Sequence, residues 1–114
     1  MQLHRARKSV GAEDTFAEDI FQLEPTKSEI KALTEKGWRH CMAKNLTART
    51  ITLKVKYVDF RQITRARTLP STVLDGSELE RWANALLDTV FPFEKGVRLL
   101  GVTLSSLEVI DPAS

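Results

Sequence analysis

The chain has 114 residues, 42% hydrophobic and 28% charged, with a formal net charge of +2, a balance that fits one globular domain with a single core. No apolar run approaches the roughly 20 residues of a membrane span, and the basic N-terminus has no apolar stretch behind it of the kind a secretory signal requires. Cys41 stands alone, which excludes an intrachain disulfide and fits a reducing compartment, and His4 and His40 have no partners at metal-ligand spacing.

In chain order, an arm with Arg5, Arg7 and Lys8 comes first. Ser9 to Phe16 then reads as a strand, with Val10, Ala12 and Phe16 alternating against Ser9, Gly11 and Thr15. Asp14 falls on the apolar parity, so a fray or bulge is expected there. A helix is expected after Pro25, with Thr26 as N-cap and Glu29 at capping-box spacing. Ile30, Leu33, Trp38, Cys41 and Met42 mark its apolar face. Gly37 inside that pattern costs about 1 kcal/mol relative to alanine and weakens the case for an unbroken helix.

The stretch from Ile51 to Pro70 carries most of the information. It reads as two strands joined by a short turn. On the first, Ile51, Leu53, Val55 and Tyr57 point one way and Thr52, Lys54 and Lys56 the other. The second puts Arg65 and Arg67 on one face and Thr64, Ala66 and Thr68 on the other, and Pro70 ends it. A second helix is expected near Ser77, where Ser77 and Glu80 repeat the capping-box spacing, with Leu79, Trp82, Ala83, Leu86, Leu87 and Val90 as its apolar stripe and Pro92 as its stop. The last strand runs from about Val97 to Leu107, with Leu100, Val102 and Leu104 on one face and Gly101, Thr103 and Ser105 on the other.

The order is strand, helix, strand, strand, helix, strand, an α+β pattern. Two amphipathic helices would cover one sheet face and leave the other open. Collected, the open face is expected to hold Ser9, Gly11, Thr15, Thr52, Lys54, Lys56, Arg65, Arg67, Gly101, Thr103 and Ser105. Residues 44–68 carry seven basic residues against Asp59 alone, a local charge of +6. A cationic sheet with small and hydroxylic residues suits a polyanion: hydroxyls and amides donate to phosphate oxygens, and cations release condensed counterions. Few aromatics lie on this face, which argues against base stacking as the main grip.

Plainer readings stand beside these. Lys54 and Lys56 also suit a solvated strand face that protects a sheet edge. Arg65 and Arg67 are also placed to pair with Glu13, and Gly11 and Gly101 to form bulges rather than sites of close phosphate approach. Trp38 and Trp82 read as core, Cys41 as a buried small residue, and Asp75, Glu78 and Glu80 as acids that complement a helix start. An RNA-binding module with the same element order is the alternative function. It would place aromatics on its central strands, where this chain has lysines and hydroxyls. A small hydrolase would need a nucleophile–base pair or a phosphate-binding loop, and neither motif is present in the sequence.

Arg7-Lys-Ser-Val-Gly-Ala-Glu13, with Thr15 and Phe16 behind it, resembles the entry into the little-finger domain of Y-family DNA polymerases. The segments Ile51 to Tyr57, Thr64 to Leu69 and Arg98 to Ser105 are similar to its later strands, in the same order, with the bacterial polymerase IV branch closest. The resemblance implies four antiparallel strands with two helices on one face, the open face lying against the major groove of template–primer duplex DNA. It makes residues 1–8 a basic interdomain linker and 9–114 the domain. By position it places Lys8, Ser9, Gly11, Lys54, Lys56, Arg65, Arg67, Gly101, Thr103 and Ser105 on the DNA backbone. Polymerase catalysis uses acidic residues that hold metal ions. In this family they belong to the palm, so magnesium is expected there and no cofactor in this chain. The resemblance further implies a translesion enzyme of the bacterial cytoplasm, a monomeric domain and the sliding clamp as a second partner. Family members often end in a tail of glutamine followed by aliphatic and aromatic residues, and this chain ends Val109-Ile-Asp-Pro-Ala-Ser114.

Overall fold

The computed structural model describes residues 9–109, so the expected linker at 1–8, Lys8 included, lies outside the described residues. The elements are β1 (Ser9–Ile20), α1 (Leu23–Ala43), β2 (Leu46–Thr47), β3 (Thr50–Tyr57), β4 (Gln62–Thr68), α2 (Gly76–Asp88), β5 (Val97–Ser105) and β6 (Glu108–Val109). Four strands form one antiparallel sheet in the order β1-β5-β3-β4, and the two-residue strands β2 and β6 pair separately. The α+β architecture expected from the sequence is therefore present, with the two short strands as an addition.

Strand order follows from apolar content. β3 alternates strictly, with Ile51, Leu53, Val55 and Tyr57 buried and their neighbours half-exposed. β5 buries Leu100, Val102 and Leu104. These two strands take the centre, while β1 and β4, richer in charge, take the edges, where charged side chains discourage edge-to-edge pairing. On one face α1 packs over β1 and β5 and α2 over β3 and β4, and the helices pack on each other. The core lies in that layer.

Both helix starts differ from expectation. α1 begins at Leu23, three residues before the Thr26 signal, with Gln22 as an N-cap that makes no side-chain capping bond. Pro25 is tolerated in the first turn because N–H groups there lack an intrahelical acceptor. Thr26 is instead fully buried, and its hydroxyl donates back to the Gln22 carbonyl at 2.7 Å. In α2 the N-cap is Asp75, whose carboxylate accepts from the Glu78 N–H at 2.8 Å. Glu78 in turn accepts from the Leu74 N–H at 2.8 Å, so the reciprocal box starts two residues before Ser77.

The buried face of α1 is Thr26, Ile30, Leu33, Thr34, Gly37 and Cys41. Met42, expected inside, is exposed, while Trp38 and Trp82 are half-buried and pack against the core. Gly37 does not break the helix. It is buried where a Cβ would stand 3.6 Å from the Leu104 side chain, an ordinary contact distance. β1 extends four residues beyond Phe16. It keeps regular register through Asp14, and the irregularity falls between Thr15 and Ile20 instead. Asp14 avoids the core because, at the edge of the helix-covered face, it meets Glu29 of α1.

Candidate nucleic-acid interface

The uncovered face is built in rows, because residues opposite one another in a ladder point the same way. Ser9, Ser105, Thr50 and Thr68 form the first row across β1, β5, β3 and β4. The Thr50 hydroxyl is hydrogen-bonded to Thr68 Oγ1 at 2.9 Å and to Ser106 Oγ at 2.7 Å. Gly11, Thr103, Thr52 and Ala66 form the second row, Glu13, Gly101, Lys54 and Thr64 the third, and Thr15, Leu99, Lys56 and Gln62 the fourth. Eight of the expected open-face positions that lie within the described residues and outside β4 are thus brought together: Ser9, Gly11, Thr15, Thr52, Lys54, Lys56, Gly101 and Thr103, and Ser105 makes a ninth.

Arg65 and Arg67 are the exception. Arg65 stands opposite Leu53 and Arg67 opposite Ile51, both fully buried, so the two arginines lie on the helix-covered side of edge strand β4. The Arg67 guanidinium sits 4.6 Å from the Trp82 ring of α2, a cation–π contact. Arg65 Nη1 donates to the carbonyl of Thr64 at 3.0 Å. The open face on β4 is Gln62, Thr64, Ala66 and Thr68. Ile63 and Leu69 share the parity of the arginines, and Leu69 is buried, which is the sequence signal that fixes this phase. The carboxylate of Glu13 pairs with Lys54 Nζ at 2.8 Å rather than with either arginine.

Gly11 and Gly101 are not bulge residues: both sit in unbroken register, and no glycine among the described residues has positive φ. Their role is space. A Cβ on Gly11 would meet Thr103 Oγ1 at 3.2 Å, and one on Gly101 would meet Glu13 Cβ at 3.3 Å and Lys54 Cε at 3.4 Å. The irregularity in the centre of the sheet falls between Lys56 and Tyr57, where Arg98 is the extra residue of β5.

One functional candidate escaped the sequence reading. The β3–β4 turn closes with Phe60 N–H donating to the Tyr57 carbonyl and Tyr57 N–H to the Arg61 carbonyl, both at 2.9 Å. Phe60 has φ 69 and is 66% exposed. Its ring lies 5.5 Å from Lys56 Nζ and 5.3 Å from Arg98 Cζ. Left-handed backbone at this turn position favours glycine or asparagine, so no residue-type rule points to phenylalanine. Arg61, next in the chain, is bound to Asp59 at 3.2 Å and Glu94 at 2.8 Å. The Arg61 backbone N–H, then its charge, hold the Asp59 carboxyl below the ordinary carboxylate range.

Among the described residues no helix is long and apolar enough to cross a membrane, and no three His, Cys, Asp or Glu side chains cluster so as to hold a metal ion.

Comparison with known proteins places this face in context. Residues 7–114 match the model of the impB/mucB/samB family C-terminal domain. The chain is 54% identical over 103 residues to DNA polymerase IV 2 of Agrobacterium fabrum, covering 90% of this chain and 29% of that protein. It is 53% identical over 109 residues to DNA polymerase IV 3 of Mesorhizobium japonicum, covering 95% and 30% respectively. The chain thus spans under a third of these relatives. Among solved structures, a Y-family DNA polymerase chimera superposes with a TM-score of 0.81 at 17% identity, over 92% of this chain and 30% of that one. The little finger domain of polymerase IV, solved in complex with the β-clamp processivity factor, gives a TM-score of 0.70 at 25% identity, over 93% of this chain and 92% of that one. This chain belongs to the impB/mucB/samB C-terminal domain family, as the little-finger domain of a Y-family polymerase of the DNA polymerase IV type.

Proposed function

We propose that this domain holds the template–primer duplex for a translesion polymerase by gripping phosphates with its open sheet face. The observation that carries the reading is the row structure of that face. Two glycines, a set of hydroxyls and two lysines lie on one sheet face that no helix covers. Glycines let a sugar–phosphate backbone approach, hydroxyls donate to its oxygens, and lysines release counterions without reading base edges. Ser9, Gly11, Lys54, Lys56, Gly101, Thr103 and Ser105 are assigned to that grip, with Lys8 adjoining Ser9. Arg65 and Arg67, on the other side of β4, flank the surface and add to its field rather than to its contacts. Two-metal phosphoryl transfer, with magnesium, is assigned to the palm of the parent enzyme. The bacterial cytoplasm is the proposed site of action. The sliding clamp is proposed as a second partner, supported by the solved complex of a clamp with a relative's little finger domain.

The test is fluorescence anisotropy of a labelled duplex against this chain across salt concentrations. Weak binding, equal for unrelated sequences and falling steeply with salt, is the expected outcome. Tight discrimination between sequences, or affinity indifferent to salt, would sink the phosphate-gripping face.

A further inference from the structure

We propose that Phe60, with Lys56 and Arg98 beside its ring, is a stacking site for an unpaired base, so that the domain binds single-stranded nucleic acid beyond the end of the duplex. The proposal rests on the duplex-holding reading above and extends it to a second ligand class.

Three independent observations meet at this turn. The first is exposure: Phe60 is 66% exposed, although burying an aromatic ring is among the larger hydrophobic gains open to a side chain. The second is backbone: at φ 69 a phenylalanine pays a strain that glycine at the same position would not. The third is charge. Lys56 Nζ and Arg98 Cζ lie 5.5 and 5.3 Å from the ring, and the described residues place no carboxylate within salt-bridge distance of either cation. Arg61, by contrast, is bound by two carboxylates and so is occupied.

The chemistry that fits an exposed ring beside two cations that no carboxylate holds is a flat group on an anionic chain. A nucleobase stacked on Phe60 would leave its adjoining phosphates to Lys56 and Arg98, the stacking-plus-charge arrangement by which single strands are held without sequence choice. A base pair inside a duplex cannot offer its face in this way, because its neighbours on both sides already cover it. Placement agrees with this. The turn stands at the end of the open face, beyond the fourth row, where Lys56 is shared between the two surfaces.

The experiment measures binding of this chain to a blunt duplex and to the same duplex with a short single-stranded oligothymidine overhang. The expected result is that the overhang tightens binding about fivefold or more, the increment of one base–aromatic stack. Phe60→Gly should abolish that increment and leave blunt-duplex affinity unchanged, while Phe60→Trp retains it. Glycine is the residue favoured at this φ, so Phe60→Gly is expected to fold with an unchanged or raised melting temperature. An overhang that adds nothing for the unmodified chain overturns the stacking site and leaves the duplex reading intact. So does an equal loss on both substrates in Phe60→Gly, which would make the ring part of the duplex grip. No binding to either DNA at low salt overturns both readings.

Discussion

Glu13 and Lys54 meet at 2.8 Å across Gly101, which stands between them in the same row of the sheet. The missing side chain at Gly101 is what lets the two reach each other. A Cβ there would come within 3.4 Å of Lys54 Cε and 3.3 Å of Glu13 Cβ. One of the two lysines of the open face is thus held by a carboxylate, which a phosphate bound there as proposed would have to displace. Glu13→Gln should free it. We expect duplex affinity to rise by up to about fivefold at moderate salt, with stability lowered by less than about 1 kcal/mol, the range of exposed ion pairs. The plot of log affinity against log salt should also steepen by up to about 0.9 as Lys54 takes on a phosphate of its own. Anisotropy titrations at several salt concentrations measure both, and an unchanged slope would show that Lys54 never reaches a phosphate.

Lys56 and Arg67 separate the two sides of the sheet. Lys56→Ala should weaken duplex binding and flatten the salt dependence by about one phosphate contact, with little effect on folding. Arg67→Ala should do the reverse. Its guanidinium lies over Trp82 on the helix-covered side, so its loss should cost about 0.5–1 kcal/mol in denaturant unfolding while the salt slope stays as it was. If Arg67→Ala flattened the slope as Lys56→Ala does, the arginine would reach the DNA around the edge of β4.

The contrast between those two residues shows what the sequence could reveal. β3 was legible because its apolar and polar parities are clean, and Ile51, Leu53, Val55 and Tyr57 are all buried. On β4 the only apolar markers of phase are Ile63 near its start and Leu69 just past its end, a weaker signal than the four apolar positions of β3, and the turn sets register against β3 accordingly. That turn depends on Phe60 in a conformation that residue preferences assign to glycine. Helix existence was legible from periodicity, but both starts were displaced, at Thr26 by a buried hydroxyl bonded to Gln22 and at Ser77 by the earlier cap at Asp75. Strand order, and with it the meeting of Glu13 and Lys54, comes from pairings between distant segments that local pattern does not encode.

Gly37 offers a test of packing against propensity. It lies inside α1 and is buried, yet a Cβ there would stand 3.6 Å from Leu104 Cδ1, an ordinary van der Waals distance. Gly37→Ala should therefore gain the helix propensity of alanine without a clash. The expected stabilisation is about 1 kcal/mol in chemical denaturation, with duplex affinity unchanged because the open face is on the other side of the sheet. Destabilisation would mean that α1 and β5 lie closer than the 3.6 Å contact indicates.

Glu29 should make stability depend on pH in an unusual direction for a carboxylate. Partial burial on α1, then the charge of Asp14 and a hydrogen bond to it, hold the Glu29 carboxyl above its ordinary value of 4.5. The fold therefore binds this proton more tightly than the unfolded chain does. Its contribution is fully present below pH 4.5 and is lost as pH rises through the higher folded value. At neutral pH the two carboxylates oppose each other across the α1–β1 contact. Glu29→Gln removes that opposition and supplies an amide donor to Asp14. It should raise stability at pH 7 by less than about 1 kcal/mol, since water screens a pair this exposed. The gain should shrink as the pH is lowered below the folded value, where the unmodified Glu29 is already protonated. Melting temperatures of the two proteins across acid and neutral pH measure this directly, and a gain that stays constant with pH would show that Glu29 is not coupled to Asp14.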